Sequence, residues 1–311
     1  MIINVKNVSM QYKISNKRKI MALKNISYSI DEGETIGLIG LNGAGKSSSI
    51  KLLTGIIKPT SGVIQVMNMD PFKKRKQICR KYGVMFGQRS QLWWDLPVKD
   101  SFYVNGSIYG LSKKEVDRKI EFYKNWIDMS FMDVPVRKLS LGQRVISDIL
   151  VSMLHEPKIL FLDEATIALD VVNRKNILDM ISKINRELKT TLIITSHQLD
   201  DIESVCERIL LLNKGELIYD GSVRNFLKNS SVSKVISVQT TDIEQFRDDI
   251  TYIEKQYGVL SMYKGTEASI FYNNEQNEYK NIANYLSSCE SVETFNVRGI
   301  TLEERIILME G

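Results

Sequence analysis

At 311 residues the chain is long for one domain, and 42 Lys and Arg against 37 Asp and Glu leave a net charge of only +5. That predicts two folding units and gives no ground, by itself, for nucleic-acid binding. The 3 cysteines lie far apart, and with His155 and His197 as the only histidines they exclude a Cys/His zinc site at the usual spacing. Unpaired cysteines suit a reducing cytosol. The start of the chain lacks a signal-peptide pattern, and no apolar run approaches the length of a membrane span. A role at a membrane therefore calls for another chain to do the spanning.

In chain order, Ile2 to Val8 reads as an edge strand, followed by Tyr12, a basic loop, and a second strand from Ala22 to Ile30. The turn Asp31-Glu32-Gly33 leads into Glu34 to Ile39, a short β-branched run. Gly40-Leu41-Asn42-Gly43-Ala44-Gly45-Lys46-Ser47-Ser48 comes next and fits G-x-x-x-x-G-K-[ST]. In such a loop, backbone N–H groups wrap phosphates while the lysine reaches the outer ones. A helical pattern begins at Lys46, so strand, glycine loop and helix N-terminus stand in the order that makes an anion site. This predicts nucleoside triphosphate binding. Tyr12, on the strands ahead of the loop, is a candidate to stack on the base.

Beyond the loop helix, Val63 to Val66 reads as a strand, Phe72 to Lys81 as a basic helix, and Tyr82 to Phe86 as a strand leading to Gln88. From Asp100 to about Phe131 the pattern is helical, an insertion within the α/β core. Ser140 and Gln143 form a capping box, S-x-x-Q, opening a helix with Val145, Ile146, Ile149, Leu150 and Met153 on one face. Ser140 to Gln143 is either a plain helix cap or a second phosphate site, with a hydroxyl, a glycine amide and a helix dipole at one end.

Lys158 to Leu162 is a continuous apolar run that reads as a strand buried on both faces, and it ends in Asp163 and Glu164. Open α/β sheets place ligands at that edge. Asp163 is placed to hold Mg²⁺ with Ser47, and Glu164 to polarise an attacking water. Ala165 to Asp170 continues the turn. Thr191 to Ser196 is the next buried strand, ending at His197, a catalytic candidate beside the carboxylates.

Past Asp220 the composition shifts. Residues 1–228 read as the nucleotide-binding domain, with its helical subdomain over about 88–154; residues 229–233 read as a linker and 234–311 as an accessory or regulatory domain. The element order there, βαββαβ with a tail helix, predicts a ferredoxin-like sandwich without catalytic residues.

Together these motifs resemble the nucleotide-binding subunit of an ATP-binding cassette (ABC) transporter, over about Met1 to Tyr219. Gly40 to Ser48 matches Walker A, and Ile159 to Asp163 with Glu164 matches Walker B and its catalytic acid. Leu139 to Gln143 resembles the LSGGQ signature, Ile167 to Asp170 the D-loop, His197 the switch histidine and Tyr12 the A-loop aromatic. Leu141 replaces the first signature glycine, Ala165 replaces the usual proline, and the Q-loop glutamine is Gln88 by a one-residue shift, with Gln91 as the weaker candidate. The run Phe86 to Pro97, with Leu139 to Arg144, is similar to a bacterial branch of ABC-2-type multidrug exporters.

The resemblance implies an α/β P-loop core with an antiparallel β subdomain, and an ATPase working with ATP and Mg²⁺ as a head-to-tail dimer. ATP would lie on Tyr12, Gly40, Asn42 to Ser48 of one copy and on Ser140, Leu141, Gly142 and Gln143 of a second copy or a paralogue, with Asp170 beside it. Ser47, Asp163 and Gln88 would hold the metal, while Glu164, His197 and Gln88 would serve hydrolysis. A separate permease would carry the substrate, with this chain at the cytoplasmic face of the membrane and no nucleic acid involved. Import by the same machinery is the alternative. A soluble cassette acting on ribosomes or DNA is disfavoured, because the chain has neither an internal repeat nor sustained heptads.

Overall fold

The computed structural model describes residues 1–13, 19–87, 89–196, 198–228, 234–272 and 278–310. The chain divides into two units, Met1–Ser222 and Val223–Gly311. Strand pairing explains the boundary: Ser222 is the last residue to pair with Arg208, so the first unit's sheet ends there. The short helix that follows thus belongs to the second unit, ahead of 229–233, which lies outside the described residues.

The first unit runs β1 (Ile3–Lys13), β2 (Lys19–Ile30), β3 (Thr35–Ile39), α1 (Lys46–Leu53), β4 (Ser61–Val66), α2 (Arg75–Ile78), β5 (Tyr82–Phe86), α3 (Val98–Ile108), α4 (Lys113–Tyr123), α5 (Leu141–Met153), β6 (Ile159–Asp163), α6 (Val171–Leu188), β7 (Thr191–Thr195), α7 (Leu199–Val205), β8 (Arg208–Asn213) and β9 (Glu216–Ser222). Six strands form one sheet in the order β5-β6-β7-β3-β8-β9. Its first five strands are parallel and β9 is antiparallel. Every residue of β3 and β7 is buried, as are the first four of β6. Such strands must be apolar on both faces, which is why they read as continuous hydrophobic runs. A smaller antiparallel sheet, β2-β1-β4, packs its buried Val5, Val8, Leu23 and Ile64 with Leu52 and Leu53 of α1 in one core.

The helical insertion follows from its own local signals. Ser112 and Glu115 cap α4 reciprocally, and Ser140 and Gln143 do the same for α5. The five apolar residues predicted for one face of α5 are all buried. At about 1.5–3 kcal/mol for each large apolar side chain, that stripe holds the helix against the core.

One expected element is much shorter than its pattern. The basic stretch from Phe72 to Lys81 forms a helix only over Arg75–Ile78. Asp70 Oδ1 accepts the N–H groups of Phe72 and Lys73, both at 3.0 Å, which makes a turn of the first residues. Lys73 and Lys76, three residues apart in a run of four cations, then repel with no acid in the first turn to offset them.

The second unit runs α8 (Val223–Lys228), β10 (Lys234–Thr240), α9 (Ile243–Tyr257), β11 (Leu260–Lys264), β12 (Glu267–Tyr272), α10 (Glu278–Leu286), β13 (Val292–Gly299) and α11 (Leu302–Glu310). Its antiparallel sheet has the order β11-β12-β10-β13, the ferredoxin-like arrangement expected from the element order. Alternation along β10 divides the core. Ile236 and Val238 pack with Phe246, Ile250 and Ile282 on one face, while Val235 joins Phe271, Ile300, Leu227 and Leu308 on the other. No helix among the described residues is long and apolar enough to cross a membrane.

Candidate nucleotide site

The phosphate loop joins the end of β3 to the start of α1. Gly40 and Gly45 adopt φ values of 144° and 112°, and a Cβ on Gly40 would lie 2.1 Å from Leu212 O, on Gly45 2.6 Å from Ala22 O. Only glycine meets both demands. No side chain caps α1, so its first N–H groups face the loop without a protein partner from a capping residue. The Lys46 ammonium donates to Gly40 O at 2.6 Å and Leu41 O at 3.2 Å, folding the loop around itself. Burial lowers the Lys46 pKa from the ordinary lysine value, and the negative charges of Glu164 and Asp163 oppose that shift. The site is thus already electropositive at the loop and electronegative opposite it.

Asp163 closes β6, with its Oδ1 accepting Thr195 Oγ1 at 2.6 Å from the neighbouring strand β7. The chain then turns sharply: Glu164 has φ 58°, and its N–H donates to both the carbonyl and the hydroxyl oxygen of Thr195 at 3.1 Å. A left-handed conformation costs a non-glycine residue about 1–2 kcal/mol, and the bonds to Thr195 hold it. Ser47, Asp163 and Glu164 line a cavity of about 470 Å³ with Lys51, Gly87 and Arg89. A hydroxyl and a carboxylate are the hard oxygen donors Mg²⁺ prefers, with phosphate and water filling its other positions, so the donor set fits that ion. Among the described residues no cluster of three or more acids, His or Cys could hold a metal by itself.

Tyr12 belongs to this site as well, its hydroxyl lying 3.2 Å from Ser48 Oγ. Gln88 and His197 lie outside the described residues. Gln91, the weaker candidate for that glutamine, is bonded within its own chain: its amide donates to Val84 O at 2.8 Å, and its backbone N–H donates to Asp148. The expected composite residues stand apart from the cavity. Ser140 caps α5, accepting from Gln143 N at 3.2 Å while Gln143 Oε1 accepts Ser140 N at 3.0 Å. Ser140 and Leu141 are exposed, Gly142 is buried, and none of the four lines the cavity of its own chain. Asp170 caps α6 through the N–H groups of Val172 and Asn173, and hydrogen bonds from Asn173 hold its carboxyl below the ordinary aspartate range.

Three further residues shape the site without having announced themselves in the sequence. Thr195 binds Asp163 and Glu164 together. Asp201, 2% exposed on α7, accepts Thr166 Oγ1 at 2.5 Å and Ser196 Oγ at 3.2 Å and pairs with the Arg174 guanidinium. Asp148 on α5 holds the segment that follows Gln88. The only signal for Asp201 was an acid in an otherwise polar helix, which reads as solvated until its depth is known. A larger cavity of about 690 Å³ lies around Tyr109, Arg118, Tyr123 and His155; none of its wall residues belongs to the phosphate motifs.

The comparisons with known proteins bear on this geometry directly. The family model described as ABC transporter matches residues 23–167. The methionine import ATP-binding protein MetN of Bacillus subtilis (strain 168) is 33% identical over 259 residues, covering 81% of this chain and 75% of MetN. The chain belongs to the family of ABC transporter ATP-binding proteins. The ABC transporter ATP-binding protein NatA of the same organism is 28% identical over 219 residues, covering 70% of this chain and 89% of NatA. Among solved structures, the dimeric post-hydrolysis state of the cassette MJ0796 bound to ADP and Pi matches with a TM-score of 0.63 at 26% identity, over 71% of this chain and 99% of that one. As an ABC ATPase, this cassette binds and hydrolyses ATP.

Proposed function

We propose that this cassette works as a head-to-tail pair on a separate permease, exporting a substrate from the cytoplasmic face of the membrane with ATP and Mg²⁺. The observation that carries the composite site is the separation just described: Ser47 of the phosphate loop and both acids share one cavity, while Ser140 and Leu141 are exposed at a capped helix start. A second copy, or a paralogue, brings Ser140 and Gly142 to the ATP held on Lys46. That the MJ0796 cassette is dimeric supports the same reading.

In this mechanism the loop N–H groups and Lys46 neutralise the phosphates, and Tyr12 stacks on the base. Mg²⁺, held by Ser47, Asp163 and Gln88, would neutralise charge developing on the phosphate oxygens. Glu164 accepts a proton from the water as it attacks the γ-phosphorus and the bond to ADP breaks. His197 holds the γ-phosphate in line. Positioning and electrostatics supply most of the acceleration in such transfers. Mixing Lys46→Ala chains with Ser140→Arg chains rebuilds one intact composite site per mixed dimer. ATPase activity that returns on mixing is expected; two inactive variants that stay inactive together would remove the head-to-tail arrangement.

Export rests on the segment Phe86 to Pro97. Trp93, Trp94 and Leu96 are 53%, 51% and 40% exposed, an apolar patch directly after Gln88 that receives a cytoplasmic helix of the permease. Trp93→Ala/Trp94→Ala chains that still associate with the permease and keep coupled transport would reject that contact. The importing reading has support in the MetN match, which extends beyond the first unit. Inside-out vesicles bearing the cassette with its permease separate the two, since ATP-driven accumulation inside them means export. The second unit is proposed to be regulatory.

A further inference from the structure

The residues on either side of Gln88 are anchored to different parts of the catalytic unit. Upstream, Gly87 N–H donates to Asp163 O at 2.8 Å, and a Cβ on Gly87 would lie 2.7 Å from that oxygen, so the end of β5 is pressed against the acid strand. Downstream, the anchor is Asp148. Its Oδ1 accepts Gln91 N–H at 2.7 Å and Ser90 Oγ at 3.1 Å, and the Ser90 hydroxyl accepts Leu92 N–H at 3.1 Å. The Arg144 guanidinium, one turn earlier on the same helix, lies 4.6 Å from the Trp94 ring centre. Residues 90–94 are thereby fastened to α5, the helix that begins at the signature motif. Asp148 stands two helical turns, roughly 12 Å, from Ser140.

A carboxylate is an expensive choice at this depth. Asp148 is 4% exposed, and its burial opposes ionisation while Gln91, Ser90 and Arg144 favour it. An apolar residue would pack there more cheaply, whereas the carboxylate supplies the acceptor for the Gln91 N–H and the Ser90 hydroxyl.

We propose that Asp148 is a positioning residue for hydrolysis: by seating Ser90 and Gln91 on the signature helix it sets the Gln88 loop against the γ-phosphate and joins that loop to the residues that clamp the partner's ATP. The proposal rests on the reading of Gln88 as the γ-phosphate-sensing residue. Asp148 touches no substrate, and its effect passes through Gln88.

The test is a double-mutant cycle in the full-length chain, following ATPase kcat, KM for ATP and Tm. Asp148→Ala removes the acceptor of both bonds, and kcat falls about tenfold or more, the scale of a small misplacement of a catalytic group, with KM within about twofold. Asp148→Asn keeps an oxygen that accepts the same two bonds and restores kcat to within about threefold. Gln88→Ala is slow, and Gln88→Ala/Asp148→Ala is no slower than the slower single variant, because residues acting as one unit are not additive. A slow Gln88→Ala whose effect multiplies with that of Asp148→Ala overturns the inference alone. Wild-type turnover in Gln88→Ala overturns the Gln88 reading and the inference with it. Should Asp148→Ala fail to fold, Ser90→Val at an exposed position removes the hydroxyl's bond to Asp148 and the acceptor of the Leu92 N–H, and an unchanged kcat there likewise overturns the proposal.

Discussion

Replacing Asp201 with alanine tests whether one buried carboxylate holds the catalytic edge together. Its side chain is 1% exposed and faces three donors: the Thr166 and Ser196 hydroxyls, and the Arg174 side chain at 22% exposure. Thr166 lies two residues beyond Glu164, and Ser196 immediately precedes His197. Asp201→Ala takes the carboxylate from the half-buried Arg174 side chain and leaves two buried hydroxyls without it as acceptor. Breaking such a pair costs about 3–5 kcal/mol. For a unit of this size each kcal/mol lowers Tm by about 2–4 °C, so thermal unfolding should move down by roughly 6–20 °C. Asp201→Asn keeps one oxygen for the two hydroxyls bonded to Oδ2 but turns an NH2 toward Arg174 in place of Oδ1, so it loses that hydrogen bond together with the charge, at a cost of about 1–3 kcal/mol. Differential scanning calorimetry gives Tm, and ATPase assays well below the variant's transition show whether kcat falls further than unfolding explains. An Asp201→Ala protein melting within about 2 °C of wild type would show that the cluster carries less than about 1 kcal/mol, and the reasoning would fail.

Other outcomes follow from the same site. Glu164→Gln should bind ATP, accumulate dimers and turn over slowly; near-normal hydrolysis, measured as phosphate release, would remove Glu164 as the proton acceptor. Gly87→Ala should slow hydrolysis, because the new Cβ would lie 2.7 Å from Asp163 O and 2.9 Å from Glu164 O, forcing the acid turn to shift; unchanged kcat would contradict that close approach. Burial holds the Asp148 pKa up from 3.8 to about 6, corresponding to about 3 kcal/mol. Because the folded state keeps its proton to higher pH than the unfolded chain, this contribution favours folding at low pH and disappears as pH rises from about 4 through 6. Urea unfolding should therefore find Asp148→Asn gaining on wild type over that window, and parallel stability curves would refute the shift. Lys46→Ala should abolish ATP binding in equilibrium titration, since it removes the one side chain that closes the loop onto Gly40 and Leu41.

The parts of this cassette that were legible in the sequence are those whose chemistry is local. Gly40 to Ser48 needs its glycines, lysine and serine at fixed spacing because backbone conformation and anion binding are settled within nine consecutive residues. The Ser140–Gln143 capping box and the apolar runs of β3, β6 and β7 are likewise settled within one turn or one strand. The basic stretch before β5 misled for the opposite reason: only Arg75–Ile78 is helical, and the residues ahead of it stay in the turn whose first N–H groups Asp70 accepts.

Tertiary structure alone decided which polar residues are buried. Asp148, Asp201 and Thr195 look in the sequence like ordinary polar positions on helices and at a strand end. Each acquires its role chiefly from partners 27 to 58 residues away in the chain, such as Asp163 for Thr195, Arg174 for Asp201 and Ser90 for Asp148. A motif can be recognised from neighbours in sequence, because its atoms meet through local geometry. A buried acid takes its meaning from which donors the fold delivers to it, and only the packed sheet and helices bring those donors together.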